Sequence, residues 1–286
     1  MLTHRRHRTS SIPRILYGMA CASAALLSTQ PPAKAEDPRK AEVQTEDIAA
    51  QRWDVMAARA RAITFTASAS DVPRALHEVP LFRYDDQTRG YVDGLVWKLG
   101  ATGRPLAIIT TELHPNYLGG GPRVVYDFLS LSEARFVGRS SDVNWQPGGA
   151  AVRMTPLAAA PDPAATAIGR LSQIKSQTRR FTATQHITET DPTLVQLRLL
   201  PKEIDRYQPS NNPRADGAAF LLVNGRNPGL ILFIETDGAA WSYGVGRLSM
   251  PSTLTLLLDD AVVWSKPPGR ESDASYTASN ATARFP

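Results

Sequence analysis

The feature of this sequence that most constrains its fold is a pattern of about thirty residues that occurs twice, 123 positions apart. Each copy holds an Arg-Tyr pair, an Asp-Gly pair ten residues later, two apolar stretches around a Gly-Arg turn, and a final glutamate. Self-similarity at a constant spacing indicates the internal duplication of one structural unit. The matched residues are Arg83, Tyr84, Asp93, Gly94 and Glu112 in the first copy, and Arg206, Tyr207, Asp216, Gly217 and Glu235 in the second.

Each copy predicts one helix followed by short antiparallel strands. In the second copy, Asp162 is typical of an N-cap and Pro163 of a first helical position, and apolar residues recur at helical spacing as far as Ile174. In the first copy the helix is expected over residues 46–62. Runs of β-branched and aromatic residues, separated by turn residues, then predict about five strands in each copy. We therefore expect an α+β fold of two tandem repeats packed into one body.

The expected organisation of the chain has five parts. They are a signal peptide over residues 1–35, a first repeat over 45–150, an Ala/Pro-rich linker over 151–162, a second repeat over 163–267, and a tail over 268–286. The tail is rich in Ser and Ala and has no periodicity, so we expect it to be disordered.

The first 35 residues have the three parts of a secretory signal peptide. A basic start with Arg5, Arg6 and Arg8 precedes an apolar stretch over 15–27, and Ala33-Lys34-Ala35 fits a small-x-small cleavage site. The apolar stretch is too short to span a bilayer as a stable helix. We therefore expect a protein exported to the periplasm or secreted, with no transmembrane segment after cleavage.

Loss of this segment changes the charge and the chemistry of the chain. The whole sequence has 32 basic and 27 acidic residues, and five of the basic ones but no acidic ones lie in positions 1–35. The mature chain is therefore neutral, which gives no reason to expect a nucleic acid as a partner. The only cysteine, Cys21, is also removed, so the mature chain has no disulfide and no thiol nucleophile.

The charged residues of the repeated pattern predict two equivalent cross-strand ion pairs. The first joins Arg83 to Glu112, and the second joins Arg206 to Glu235. The determinants of a fold must be kept in both copies of a duplication, whereas a single active site need not be, so the pattern favours a structural role. The two Asp-Gly pairs are interpreted as turns in which the glycine takes a positive φ.

The largest difference between the copies follows Glu112. Glu112-x-His114 places two side chains on one face of a strand, and a loop with glycines at 119–121, Tyr117 and Arg123 replaces a shorter connection. Two such side chains could begin a metal site, but no third ligand is visible in the sequence, and an ordinary surface histidine is the alternative. The glycine loop could hold an anion or be a simple hairpin loop. We take Glu112, His114, Tyr117 and Arg123 as the candidate site, and assign no catalytic, cofactor or metal-binding residue.

Five strings of the second copy occur together. They are Arg170-Leu171-x-Gln173-Ile174, Arg179-Arg180-Phe181-Thr182-Ala183, Leu197-Arg198-Leu199-Leu200-Pro201, Arg206-Tyr207 and Asp216-Gly217-Ala218-x-Phe220. These strings resemble those of a family of exported proteins of planctomycete-type bacteria for which no activity is established. The resemblance covers most of the mature chain and is strongest in the second copy. It implies export and a shared fold, and no particular activity.

Two functions follow from these features. The first is a non-catalytic binding or interaction module of the cell envelope, which holds a small apolar ligand or a protein and needs no cofactor. The alternative is an exported hydrolase with a site near Glu112, His114 and the loop over 119–123, although the chain has no Gly-x-Ser-x-Gly elbow. An apolar cleft without converging polar groups would favour binding, and converging carboxylates or histidines would favour the enzyme. A purely structural envelope protein would have no cleft.

Overall fold

The computed structural model of the 286-residue chain describes residues 38–67, 70–86, 91–187 and 193–284, and their side chains except those of 38–45, 70–73 and 91–92. The predicted signal peptide lies outside the described residues. Glu42–Pro286 forms one unit. Within the described residues, no helix has both the length and the apolar character needed to cross a bilayer.

Two α-helices occur among the described residues, α1 (Pro38–Arg61) and α2 (Ala167–Thr178). The N-cap of α2 is Thr166, whose Oγ1 accepts a hydrogen bond from the amide of Gly169 at 3.1 Å, and not Asp162 as expected. The side chain of Gln173 explains the later start. It binds the amide of Ala164 and the carbonyl of Asp162, each at 2.8 Å, and so holds the preceding segment outside the helix.

The described strands form three antiparallel sheets. The small sheet contains β1 (Thr64–Ala67), β2 (Ser70–Arg74), β7 (Phe136–Arg139) and β8 (Asn144–Trp145), in the order β2-β1-β7-β8. The five-stranded sheet contains β3 (Phe82–Asp86), β4 (Tyr91–Leu99), β5 (Ala107–His114), β6 (Arg123–Ser130) and β18 (Tyr276–Thr282), in the order β18-β6-β5-β4-β3.

The third sheet, which we call the curled sheet, bends into a half-barrel of eight strands with β12 paired beside β13. Its order is β17-β16-β10-β11-β13-β14-β15-β9. The strands are β9 (Thr155–Pro156), β10 (Phe181–His186), β11 (Leu194–Leu199), β12 (Asp205–Tyr207), β13 (Asp216–Asn224), β14 (Asn227–Thr236), β15 (Trp241–Arg247), β16 (Thr253–Leu258) and β17 (Ala261–Lys266).

The expected α+β fold, with two units of one helix and about five strands each, is wrong. Strands take 46% of the chain and helices 14%, so the protein is mainly antiparallel β. The curled sheet alone has nine strands, whereas the strands between residues 64 and 145 are divided between two sheets. Sequence patterns undercount the strands because two-residue strands such as β8 and β9 are too short to show an alternation.

Two segments expected to lie outside the folded repeats form strands. In the expected linker, β9 pairs with β15, with Thr155 opposite Tyr243. In the segment for which the sequence predicts disorder, β18 pairs with β6 along its whole length, from Tyr276 to Thr282. The strand is rich in Ser and Ala, so its composition does not indicate a strand, but the fully buried Tyr276 packs it against the core.

The two central hairpins predicted from the sequence are confirmed as β4–β5 and β13–β14. Trp97 and Phe220, predicted as core, are buried in them. One apolar cluster joins α1, the small sheet and the five-stranded sheet, and a second joins α2 and the curled sheet. A third cluster, with Ile108, Leu129 and Phe233, lies where the five-stranded and curled sheets pack face to face. This interface positions the candidate site.

Candidate functional site

The repeated pattern builds a row of three residues across the five-stranded sheet. Tyr84 on β3 lies opposite Gly94 on β4, and Gly94 lies opposite Glu112 on β5. The Tyr84 hydroxyl donates a hydrogen bond to Glu112 Oε1 at 3.0 Å across the glycine. A Cβ at Gly94 would lie 2.6 Å from the tyrosine ring, so a larger residue would displace the ring. The row therefore requires a glycine between the tyrosine and the glutamate.

The curled sheet contains the same row. Tyr207 lies opposite Gly217, which lies opposite Glu235, and the Tyr207 hydroxyl donates to Glu235 Oε2 at 3.1 Å. A Cβ at Gly217 would again lie 2.6 Å from the tyrosine ring. The Asp-Gly pairs are therefore inside strands and not in turns, contrary to expectation, and their glycines make room for an aromatic ring.

The arginines of the pattern bind other partners than those predicted. Arg83 binds Asp93 and not Glu112, with Nε 2.8 Å from Oδ1 and a second contact between Nη2 and Oδ2. Successive side chains of a strand point to opposite faces, so Arg83 cannot reach the face on which its neighbour Tyr84 meets Glu112. Arg83 Nη2 also donates to the carbonyl of Ala49 in α1 at 2.8 Å, which ties the helix to the sheet.

The second arginine repeats this arrangement. Arg206 binds Asp216 and not Glu235, through Nε at 3.1 Å and Nη2 at 2.8 Å. Its Nη2 also donates to the carbonyl of Ala167 in α2 at 2.8 Å. Asp216 is buried and also accepts a hydrogen bond from Arg170 Nε at 3.2 Å. Arg206 therefore joins α2 to the curled sheet.

We expect Arg206→Ala to lower the melting temperature, because the buried Asp216 loses two charge-assisted hydrogen bonds. The loss should be about 1.5–3 kcal/mol of unfolding free energy. Arg226→Ala is the matched control, since its ion pair with Asp85 is largely exposed and should contribute less than about 1 kcal/mol. Equal melting temperatures for the two variants would contradict the role given to Arg206.

A cavity of about 300 Å³ opens between the five-stranded and curled sheets, beside Glu112. Half of its lining residues are apolar and half are polar. The apolar ones are Leu118, Val125, Leu248, Met250, Pro251 and Ala278. The polar ones are Glu112, His114, Tyr117, Asp127, Asn227 and Ser249.

The structure brings three of the four predicted site residues together in this pocket. His114 Nε2 lies 3.2 Å from Glu112 Oε2, and the Tyr117 ring packs edge-on against the His114 ring with centroids 5.3 Å apart. Arg123 does not line the pocket, and its Nη1 donates to Asn280 Oδ1 at 2.9 Å. Among the side chains that the structure describes, no group of three or more His, Cys, Asp or Glu is placed to hold a metal ion.

The glycine loop is a tight turn at the rim of the pocket. Gly119 and Gly121 take φ values of 76° and 82°, which favour glycine. The amide of Gly120 donates to the carbonyl of Tyr117, and the amide of Gly121 donates to Asn116 Oδ1. Because these two amides are already bonded inside the loop, the hairpin interpretation is favoured over an anion cradle.

Asp127 is a titratable residue of the pocket that was not predicted from the sequence. It lies on β6 opposite Thr110, while Glu112 lies opposite Val125, so the two carboxyl groups share one face of neighbouring strands. Tyr276 Oη donates to Asp127 Oδ1 at 3.2 Å. The sequence does contain a signal for this residue. Val125, Asp127 and Leu129 alternate along β6 and therefore share one face, so Asp127 is a charged residue between two apolar ones on a buried face.

The environment of Asp127 keeps its carboxyl group protonated at neutral pH. Burial, and then the negative charge of Glu112, raise its pKa from 3.8 to about 8. The hydrogen bonds from Tyr276 and Thr110 and the positive charge of Arg247 act in the opposite direction and are outweighed. Asp127 therefore adds a neutral polar group to the pocket, beside the carboxylate of Glu112.

Arg247 holds the wall of the pocket that comes from the curled sheet. Its Nη2 donates to the carbonyls of Ser249, Met250 and Ser252 at 2.9–3.0 Å, and its guanidinium lies 5.0 Å from the centre of the Tyr276 ring. Arg247 is itself buried. It therefore fixes the backbone of the segment over 248–252 without lining the pocket.

The glutamate of the curled-sheet row has a partner that Glu112 does not have. Arg104, in the turn between β4 and β5, binds Glu235 through Nε at 3.1 Å and through a second contact of Nη2. In the reciprocal position, Asn227 at the start of β14 lies at the pocket beside Glu112. Asn227 Nδ2 donates to Asp86 Oδ2 at 3.1 Å. Glu235 thus binds a guanidinium, whereas Glu112 faces the pocket.

Comparisons of the chain with descriptions of protein families, with curated proteins and with solved structures found no match.

Proposed function

We propose that this protein is an exported, non-catalytic binding protein that holds a small, mostly apolar ligand with one polar end in the pocket beside Glu112. The observation that carries the proposal is the division of the lining between two walls. Glu112, His114 and Asp127 lie on β5 and β6, whereas the opposite wall is formed mainly by the apolar side chains of Leu248, Met250 and Pro251, in the loop that joins β15 to β16. A cavity of about 300 Å³ with this lining has the character of a small-molecule site.

The rim of the pocket supports the same proposal. Leu118 has 90% of its surface exposed and a left-handed backbone, with φ 49° and ψ 35°. A leucine in such a conformation is unfavourable by about 1–2 kcal/mol, and its exposed side chain gains nothing from the fold. Contact with a bound apolar molecule would remove this surface from water.

Export is proposed from the signal peptide predicted over residues 1–35 and from the resemblance to exported proteins. The neutral, cysteine-free mature chain suits an oxidising compartment, because it has no thiol to oxidise. The binding proposal does not depend on which compartment outside the cytoplasm the protein occupies.

We expect Ala278→Phe to block the pocket. Ala278 lies on β18, is half-buried and lines the cavity, so a phenyl ring there would occupy the space of the ligand. The neutral fluorescent probe N-phenyl-1-naphthylamine should bind the mature chain, and its affinity should fall about tenfold or more in the variant. Ala261→Phe, at an exposed position of β17, is the matched control and should bind as the parent chain does. Equal binding by both variants would remove the pocket from consideration.

One observation favours the hydrolase as a second candidate. Glu112 and Asp127 are neighbouring carboxyl groups whose protonation differs, and such pairs supply the acid and the base of many hydrolases. Turnover of 4-nitrophenyl glycosides or esters that disappears in Asp127→Asn would establish the hydrolase. Retention of probe binding by Asp127→Asn without any turnover in the parent chain would leave binding as the function.

A further inference from the structure

The polar end of the ligand can be identified from the protein itself. Resting on the proposed function, we propose that the pocket takes an organic cation, an alkyl chain that ends in a guanidinium or primary ammonium group bound to Glu112. The chain itself binds an arginine to Glu235, and the equivalent Glu112 lies beside the cavity.

The two glutamates have the same surroundings on one side. Each ends a Tyr-Gly-Glu row, and each accepts a hydrogen bond from its tyrosine, at 3.0 Å for Glu112 and 3.1 Å for Glu235. Both are largely buried, with 13% and 6% of the side chain exposed. A carboxylate at this depth is stabilised most strongly when its second oxygen binds a positively charged donor.

The two glutamates differ in that second partner. Glu235 binds the guanidinium of Arg104 through Nε and Nη2, the two-pronged geometry by which a carboxylate and a guanidinium fit best. Among the described residues, the partner of Glu112 on this side is the ring of His114, at 3.2 Å, and the cavity lies beside it. In the curled sheet the corresponding position at the pocket is Asn227 at the start of β14, while Arg226 in the turn before it binds the half-buried Asp85 instead.

The charges of the pocket favour a cation and disfavour an anion. Among the described residues that line it, none is lysine or arginine, and Glu112 is a carboxylate. Asp127 is neutral at pH 7 and offers its oxygens as hydrogen-bond acceptors. The nearby guanidinium of Arg247 is buried and bound to the carbonyls of Ser249, Met250 and Ser252, so it does not enter the cavity. A cationic group of the ligand could therefore bind Glu112 from the cavity.

The remainder of the pocket accommodates an alkyl chain. Leu248, Met250 and Pro251 line it from the loop between β15 and β16, and Leu118 is at its rim. Met250 is unbranched and adapts to irregular apolar surfaces. An alkyl chain that starts at Glu112 would pass along these side chains towards Leu118.

Three probes with the same eight-carbon chain separate the contribution of the charge from that of the alkyl chain. The affinity of each probe is measured at pH 7 by its displacement of N-phenyl-1-naphthylamine from the mature protein. We expect n-octylguanidinium to bind about tenfold or more tightly than 1-octanol, and octanoate to bind most weakly. Equal affinity for octylguanidinium and octanol would overturn the cation while leaving apolar binding in place. Failure of all three probes to bind would overturn the proposed function itself.

Two matched variants test whether the preference for octylguanidinium over octanol arises at Glu112. Glu112→Gln should remove the preference for octylguanidinium and keep the affinity for octanol, which also shows that the pocket is still formed. Glu235→Gln makes the same substitution in the equivalent row, where Arg104 already fills the place of the cation, and should keep the preference. A preference that survives Glu112→Gln would place the cation elsewhere and contradict the inference.

Discussion

Lys98→Met should lower the free energy of unfolding by about 3–5 kcal/mol, because it leaves a buried carboxylate without its charged partner. Lys98 Nζ on β4 lies 2.7 Å from Asp205 Oδ1 on β12, and each side chain has only 8% of its surface exposed. The pair crosses the interface between the five-stranded and curled sheets. Asp205 Oδ2 has no hydrogen-bond partner among the described atoms, so the loss of Lys98 would leave the carboxylate almost uncompensated.

Urea unfolding of three further proteins tests this expectation. Lys98→Met combined with Asp205→Leu should recover most of the lost stability, since it removes the buried charge together with its partner. Lys175→Met is the control, because Lys175 pairs with Glu203 at 3.0 Å but is 39% exposed, and its loss should change stability by less than about 1 kcal/mol. Asp205→Leu alone leaves Lys98 buried without its partner and should also destabilise. A double variant no more stable than Lys98→Met would contradict this account of the interface.

Asp127 should make the folded chain less stable as the pH rises. Its pKa is about 8 in the folded protein, against the ordinary 3.8, so between these values the folded state keeps a proton that the unfolded chain releases. The contribution of Asp127 to stability is therefore fully present below about pH 4 and is lost as the pH rises to about 8. The slope can reach about 1.4 kcal/mol per pH unit.

Asp127→Asn should remove this dependence, because the amide resembles the protonated carboxyl group and still accepts the hydrogen bond from Tyr276. The groups that act on position 127 are Glu112 and Thr110 from β5, Tyr276 from β18 and Arg247 from β15. The measured quantity is the melting temperature of the variant minus that of the parent. This difference should increase from pH 4 to pH 8.

An exposed aspartate supplies the control for this experiment. Backbone amides of Ala239 and Ala240 lower the pKa of Asp237, so its contribution has the opposite sign and is lost as the pH falls. Asp237→Asn should therefore show no gain over the parent between pH 5 and pH 8. A difference for Asp127→Asn that stays constant across the range would show that Asp127 does not hold its proton in the folded protein.

The sequence by itself determined the features that depend on neighbouring residues. The alternation of apolar residues and the turns between them predicted the β4–β5 and β13–β14 hairpins, and Trp97 and Phe220 were correctly predicted as core. The ion pairs predicted from the repeated residues are wrong, because Arg83 binds Asp93 and Arg206 binds Asp216. The spacing in sequence cannot show which strand lies opposite which, and this register decides that Tyr84, and not Arg83, meets Glu112.

Only the tertiary structure decided the sheet arrangement and the pocket, because both depend on contacts between distant parts of the chain. Asp127 meets Tyr276 from the far end of the sequence, and Asn227 reaches the cavity of Glu112 from the opposite sheet. No local pattern contains such contacts. They arise because burying apolar surface between two sheets brings the few polar groups on those faces together, and burial then changes the chemistry of Asp127.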